Sequence, residues 1–127
     1  MVRANLFLFI AAINGFLAIS LGAFGSHGLK SRLSEQYFGV WQTGVQYHFY
    51  HALILCVVGI LWSKSANIWL NTSGYLFIAG LILFCGSLYW LALGGPRWLG
   101  PLTPLGGLCF LLGWLSLAVS ALRFGRV

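Results

Sequence analysis

Long apolar runs alternate with short polar breaks along this chain. Four runs come close to or exceed the roughly 20 residues needed for one helical crossing of a bilayer: residues 4–24, 44–62, 73–93 and 104–122. Lipid offers backbone N–H and C=O groups no partner, so such runs must be helices, which satisfy those groups internally. The short alternating segments of a membrane β-barrel are absent. The first run has Arg3 ahead of it and small residues at its end, as a signal peptide does. Its apolar core is long for that role and reads as a span.

The breaks support these boundaries. Gly94-Gly95-Pro96 reads as a helix stop. Thr103-Pro104 reads as an N-cap followed by proline at the first helical position. Ser34 can cap a helix starting at Glu35, in which Phe38, Trp41, Val45 and Phe49 share one face and Glu35, Gly39, Gln42 and Gln46 the other. Residues 35–43 therefore read as a short interfacial amphipathic segment leading into the second span. The expected fold is all-α: one integral-membrane four-helix bundle occupying residues 1–127. Both termini lie on one side, and the loops at residues 25–43 and 95–103 on the other.

Small residues recur at steps of three, four and seven. The first run has Ala11, Gly15, Ala18, Gly22 and Gly25, and the second has Ala52, Cys56, Gly59 and Ser63. The third has Ser73, Gly80, Ser87 and Gly94, and the fourth Gly106, Cys109, Gly113, Ser116 and Ser120. Helices in lipid associate by close packing, which small residues permit, so these stripes predict tight seams with no room for a wide pore. Cys56, Cys85 and Cys109 read as small hydrophobes.

Composition narrows the class. Of the 127 residues, 60% are hydrophobic and 6% charged, too few polar groups to cover a water-soluble domain. Seven basic residues face one acid, Glu35, for a net charge of +6. Arg3, Lys30, Arg32, Lys64, Arg97, Arg123 and Arg126 stand singly at the ends of apolar runs, as membrane anchors do. No basic stripe follows a phosphate backbone, which excludes nucleic acid as a partner. Four cations plus the amino terminus on the termini side, against three on the loop side, favour cytoplasmic termini.

The topology gathers unusual side chains at the loop face. His27 leaves the first span there, His48 and His51 fall in the opening turns of the second span, and Ser87 and Tyr89 near the end of the third. With Tyr47, residues His27, His51, Ser87 and Tyr89 form the expected polar cluster. Lys30, Arg32, Arg97, Trp98 and Thr103 form the expected site for an anionic headgroup or membrane partner. His27, His48 and His51 are weak metal candidates, because their spacing matches no strong motif. Haem ligation needs axial groups on opposite faces, and His48 and His51 share one face. No catalytic constellation is readable: the spans carry no Asp or Glu for a proton relay or a triad.

Several stretches together resemble a bacterial family. These are Gly22-Ala23-Phe24-Gly25-Ser26-His27-Gly28-Leu29, Gly44-Val45-Gln46-Tyr47 through His51-Ala52, Leu83-Phe84-Cys85-Gly86-Ser87-Leu88-Tyr89, and Thr103-Pro104-Leu105-Gly106-Gly107 through Gly113-Trp114. In this order they resemble domain-of-unknown-function family four-two-three, the YgdD-type small inner-membrane proteins. His48 stands where that pattern has Gln or another polar residue. The resemblance implies a four-span protein of the bacterial inner membrane and brings no reaction, cofactor or catalytic residue. The functional expectation is a non-catalytic accessory bundle, without cofactor, that binds lipid, a membrane partner or a second copy. The alternatives are a metal or cofactor site on His27 and His51, and a small-solute transporter using Asn14, His51 and Ser87.

Overall fold

The computed structural model describes residues 2–124, so Arg126 lies outside the described residues. Four helices are long and apolar enough to cross a membrane: Val2–Leu29, Glu35–Lys64, Ile68–Ala92 and Arg97–Leu122. No strand occurs among the described residues. The last of these opens with a single tight turn, Arg97–Leu99, and its regular part is Leu102–Leu122.

Local chemistry sets the ends. Ser34 accepts from the Tyr37 N–H at 3.2 Å, so the second helix starts at Glu35 and runs 30 residues without a break. The amphipathic residues 35–43 are its first turns, and their apolar side packs on the end of the first helix. Asn67 accepts from the Leu70 N–H at 3.0 Å and starts the third helix at Ile68, five residues ahead of the expected run. Gly94, with φ +93°, ends that helix in the left-handed conformation glycine tolerates. The expected Thr103 cap is not used. The fourth helix starts two residues earlier, at Leu102 behind Pro101, and the Thr103 hydroxyl bonds Ser87 instead.

Two helices contain one wide turn each. In Gly25–Leu29, the Lys30 N–H reaches the Gly25 carbonyl at 2.9 Å, an i+5 bond. In Leu81–Cys85, the Gly86 N–H reaches Leu81 in the same way. Such π turns insert a residue and re-aim the side chains that follow.

The second and third helices meet at the centre. The first lies along the second and the fourth along the third, and these two outer helices do not pack on each other. Phe7, Leu55, Val58, Leu70 and Phe77 are fully buried between them. The small-residue seams close mostly by aromatic rings entering glycine notches. Phe7 sits over Gly74, Phe77 over Gly113, Phe110 over Gly80 and Tyr89 over Gly44. Gly15, expected on a seam, faces open space. The three cysteines are free, and Cys85 is buried.

Backbone meets side-chain-free backbone at Gly106. A Cβ there would collide with the Phe84 N–H and lie 2.8 Å from Leu83 C and Phe84 Cα, all main chain of the wide turn. No rotamer change relieves that clash. A Cβ on neighbouring Gly107 would meet only the Phe84 ring, at 3.8 Å. Gly106→Ala is therefore expected to destabilise the bundle by about 1–3 kcal/mol, the usual range for overpacking. Gly107→Ala is expected to be neutral or slightly stabilising through helix propensity. Thermal unfolding of the two variants in detergent checks the contrast.

Candidate functional site

The two central imidazoles lie deeper than the apolar runs indicated. With the helix starting at Glu35, a rise of 1.5 Å per residue puts His48 about 20 Å and His51 about 24 Å along its axis, near its middle. They are not in the opening turns at the loop face. A hydropathy scan starts the span at the first apolar residues, whereas the backbone started helically nine residues earlier. Both rings are buried, at 5% and 4% exposure, while His27 is exposed at the loop face.

His48 links three helices. Its Nε2 lies 2.8 Å from Asn14 Oδ1 on the first helix and its Nδ1 lies 2.9 Å from the Tyr89 hydroxyl on the third. Asn14 donates through Nδ2 to the Ile10 carbonyl at 2.8 Å, which turns its oxygen towards His48. In the neutral ring Nε2–H therefore donates to Asn14, and Nδ1 accepts from Tyr89. His51 adopts the opposite tautomer. Its Nδ1–H donates to the Tyr47 carbonyl at 2.8 Å, and its Nε2 accepts the Trp114 indole N–H at 3.1 Å. The Phe110 ring stacks on it, with centroids 3.6 Å apart and planes 10° apart.

These assignments use the lone pairs of both central imidazoles. Among the described residues, no three His, Cys, Asp or Glu side chains come together to hold an ion. Of the polar cluster of His27, Tyr47, His51, Ser87 and Tyr89, Tyr47 and His51 are brought together, with stacked rings 6.2 Å apart, while His27, Ser87 and Tyr89 have other surroundings. Tyr89 serves His48. Ser87 donates to the Phe84 carbonyl at 3.0 Å and takes the Thr103 hydroxyl at 2.6 Å, joining the third and fourth helices. The Tyr47 ring is partly exposed and packs on Phe84. Sequence reasoning missed Trp114 as a partner of His51, and Asn14 as the partner of His48. The one available signal was an amide isolated in the middle of an apolar run.

The loop end is more open. A groove of about 740 Å³ runs between the first and second helices, with Ser26, His27, Phe38 and Gln42 towards the loop, Val45 and Gln46 midway, and Ala18, Ile19, Phe49 and Tyr50 at its deeper end. Trp41 forms its inner wall, 2% exposed, and its indole N–H donates to the Leu21 carbonyl at 3.0 Å. Of the expected headgroup residues, Lys30, Arg32, Arg97 and Trp98 are exposed, and Trp98 packs edge-on against Trp90. Thr103 is half-buried and committed to Ser87. A smaller groove of about 380 Å³, between the first and third helices, is lined by Asn14, His48 and Tyr89.

The intramembrane bonds make a direct prediction. Tyr89→Phe keeps the ring and removes the donor to His48 Nδ1, and is expected to cost about 1 kcal/mol, within the range for interhelical hydrogen bonds in lipid. Tyr47→Phe, whose hydroxyl has no partner among the described residues, is expected to fall within about 0.5 kcal/mol of wild type. Reversible unfolding in bicelles distinguishes them.

Comparison with known proteins places this architecture in a family. A family described as "Protein of unknown function (DUF423)" matches residues 21–107. The chain is 47% identical over 121 residues to UPF0382 membrane protein YwdK of Bacillus subtilis, covering 94% of this chain and 98% of that protein. It is 43% identical over 120 residues to UPF0382 membrane protein SH2409 of Staphylococcus haemolyticus, and 42% identical over 120 residues to UPF0382 membrane protein SERP0230 of Staphylococcus epidermidis, with the same coverage. No solved structure matches it. Four apolar helices and relatives named as membrane proteins make this a multi-pass membrane protein, and the chain belongs to the DUF423 family.

Proposed function

We propose that the protein is a non-catalytic accessory component of the bacterial inner membrane, with cytoplasmic termini, that holds an anionic phospholipid at its loop face. The observation that supports this reading is the groove between the first and second helices. Its deeper end runs beside Ala18, Ile19 and Phe49, its loop end meets Ser26, His27 and Gln42, and Gln46 stands one turn below Gln42. That sequence of surfaces matches an acyl chain followed by a headgroup at the depth where the helices leave the hydrocarbon. Lys30 and Arg32 follow the loop end directly in the chain and stand exposed for a phosphate. Arg97 and Trp98 offer a second contact with the headgroup layer from the other loop. The Thr103 hydroxyl is engaged by Ser87, while its backbone lies in the first turn of the fourth helix.

The orientation rests on charge. Arg3, Lys64, Arg123 and Arg126 belong to the termini side, against Lys30, Arg32 and Arg97 on the loop side. Arg3 is also anchored there, donating to Asn71 at 2.7 Å with its guanidinium over the Trp62 and Tyr75 rings.

Each basic residue near an anionic headgroup is worth about 1 kcal/mol, so the double variant Lys30→Ala/Arg32→Ala is expected to bind anionic phospholipid roughly 30-fold more weakly. Native mass spectrometry of the purified protein measures this, and unchanged lipid retention overturns the reading. A green fluorescent protein fused at the carboxyl end is expected to fluoresce, and alkaline phosphatase fused there to be inactive. The reverse pattern would invert the proposed orientation.

A further inference from the structure

We infer that the groove between the first and second helices selects a phospholipid whose phosphate bears a neutral hydroxylated head, such as glycerol, over one bearing an ammonium. The inference rests on the lipid-binding reading above and adds the identity of the headgroup.

The argument starts from unused hydrogen-bonding capacity. Gln42 and Gln46 stand one helical turn apart and both line the groove. Ser26 and His27 face them from the wide turn that ends the first helix. All four are exposed, and their side chains have no partners among the hydrogen bonds formed by the described residues. Of the other polar side chains near the groove, Trp41 is committed to the Leu21 carbonyl and Thr43 to the Gly39 carbonyl, while the exposed Tyr50 hydroxyl adds a further free group at the deeper end.

The chemistry of this set is specific. Each primary amide offers two donors and a carbonyl acceptor, and the serine hydroxyl both donates and accepts. A diol also donates and accepts at each oxygen, so it matches such a set in both directions. A terminal phosphate presents acceptors and leaves the amide oxygens without a donor. An ammonium only donates, and its strongest partner is a carboxylate. The only acidic side chain in the sequence, Glu35, does not line the groove. The best aromatic partner for a cation is also occupied, since the Trp41 ring is packed by Tyr89, with centroids 4.8 Å apart, and by Phe24 at 6.1 Å. At about 740 Å³ the groove holds a glycerophosphate head together with the start of a chain.

The test titrates the full-length protein in neutral detergent with phosphatidylglycerol, phosphatidic acid and phosphatidylethanolamine of identical acyl chains, reading occupancy by native mass spectrometry. Phosphatidylglycerol is expected to bind about tenfold more tightly than phosphatidic acid, with phosphatidylethanolamine weakest. Gln42→Leu/Gln46→Leu changes two exposed positions. It is expected to leave lipid-free thermal unfolding unchanged and to weaken phosphatidylglycerol binding more than phosphatidic acid binding, so that the preference between the two is lost. Equal binding of the two anionic lipids, unaffected by the glutamine changes, overturns the headgroup inference while the anionic-lipid reading stands. Tightest binding of phosphatidylethanolamine overturns both, as does failure of all three lipids to bind.

Discussion

Hydrocarbon supplies no hydrogen-bond partner, and that constraint governs the interior of this protein. It requires helices for the backbone, and it requires the few polar side chains at depth to find one another. Asn14, His48 and Tyr89 satisfy it across three helices, and His51 with Trp114 satisfies it between the second and fourth. Ser87 with Thr103, Ser116 with the Trp69 carbonyl, and Asn67 with Ser120 do the same between the third and fourth. Because each bond needs a particular donor opposite a particular acceptor, the set also fixes which helix faces which. The histidine tautomers follow from it. His48 faces a hydroxyl and an amide oxygen, both able to accept, so its two nitrogens have partners whether the ring is neutral or protonated. His51 faces an indole, which only donates, so one nitrogen must keep its lone pair.

Packing supplies what the hydrophobic effect cannot supply between helices in lipid. The glycines act here mainly as receptacles for rings. Phe7, Phe77, Phe110 and Tyr89 each occupy the space a side chain would have filled on the facing helix. Gly22 and Gly59 receive the aliphatic Val45 and Leu8 instead, and at Gly106 the wide turn at Leu81–Cys85 carries main chain against main chain. The same turn precedes Ser87 and Tyr89 and so helps to set the direction in which they leave the third helix. One inserted residue thus contributes both to close contact with the fourth helix and to the bond to His48.

Much of the fold was legible in the sequence, because span number is written in the lengths of apolar runs. The starts of the helices were less so. Side-chain hydropathy registers transfer into lipid, while a helix begins wherever a cap and a packing surface allow. Ser34 and Trp41 begin the second helix nine residues before its apolar run, and Asn67 begins the third five residues before its own. That difference moved His48 and His51 from the opening turns to the middle of the second helix and left Tyr47 and His51 as the part of the expected polar cluster that stands side by side. The stripes of small residues were legible as packing positions, but not their occupants, since a ring from another helix leaves no trace in the local spacing. The wide turns are hidden for a related reason: the extra residue shows in the backbone register and not in residue type.

The two ends of the bundle differ in a way that bears on where a ligand belongs. At the termini end, Arg3 is bonded to Asn71 and stacked on two rings, Asn67 caps its helix while reaching Ser120, and Ser63 is turned back on the Ile60 carbonyl. Polar side chains there are consumed by the fold. At the loop end, Ser26, His27, Gln42 and Gln46 line open space, and the exposed Lys30 and Arg32 follow a few residues along the chain. The fold pairs most of its polar groups at depth, the buried Ser73 hydroxyl excepted, and has no structural use for two adjacent amides left facing a groove. Water can serve them in the interfacial layer, so stability does not demand a ligand. Stability equally gives no reason for amides, a hydroxyl and an imidazole to converge where lipid-facing helices ordinarily carry aromatic and basic anchors. The side chains that the fold leaves unspent are therefore the ones on which an experiment on binding has most to act.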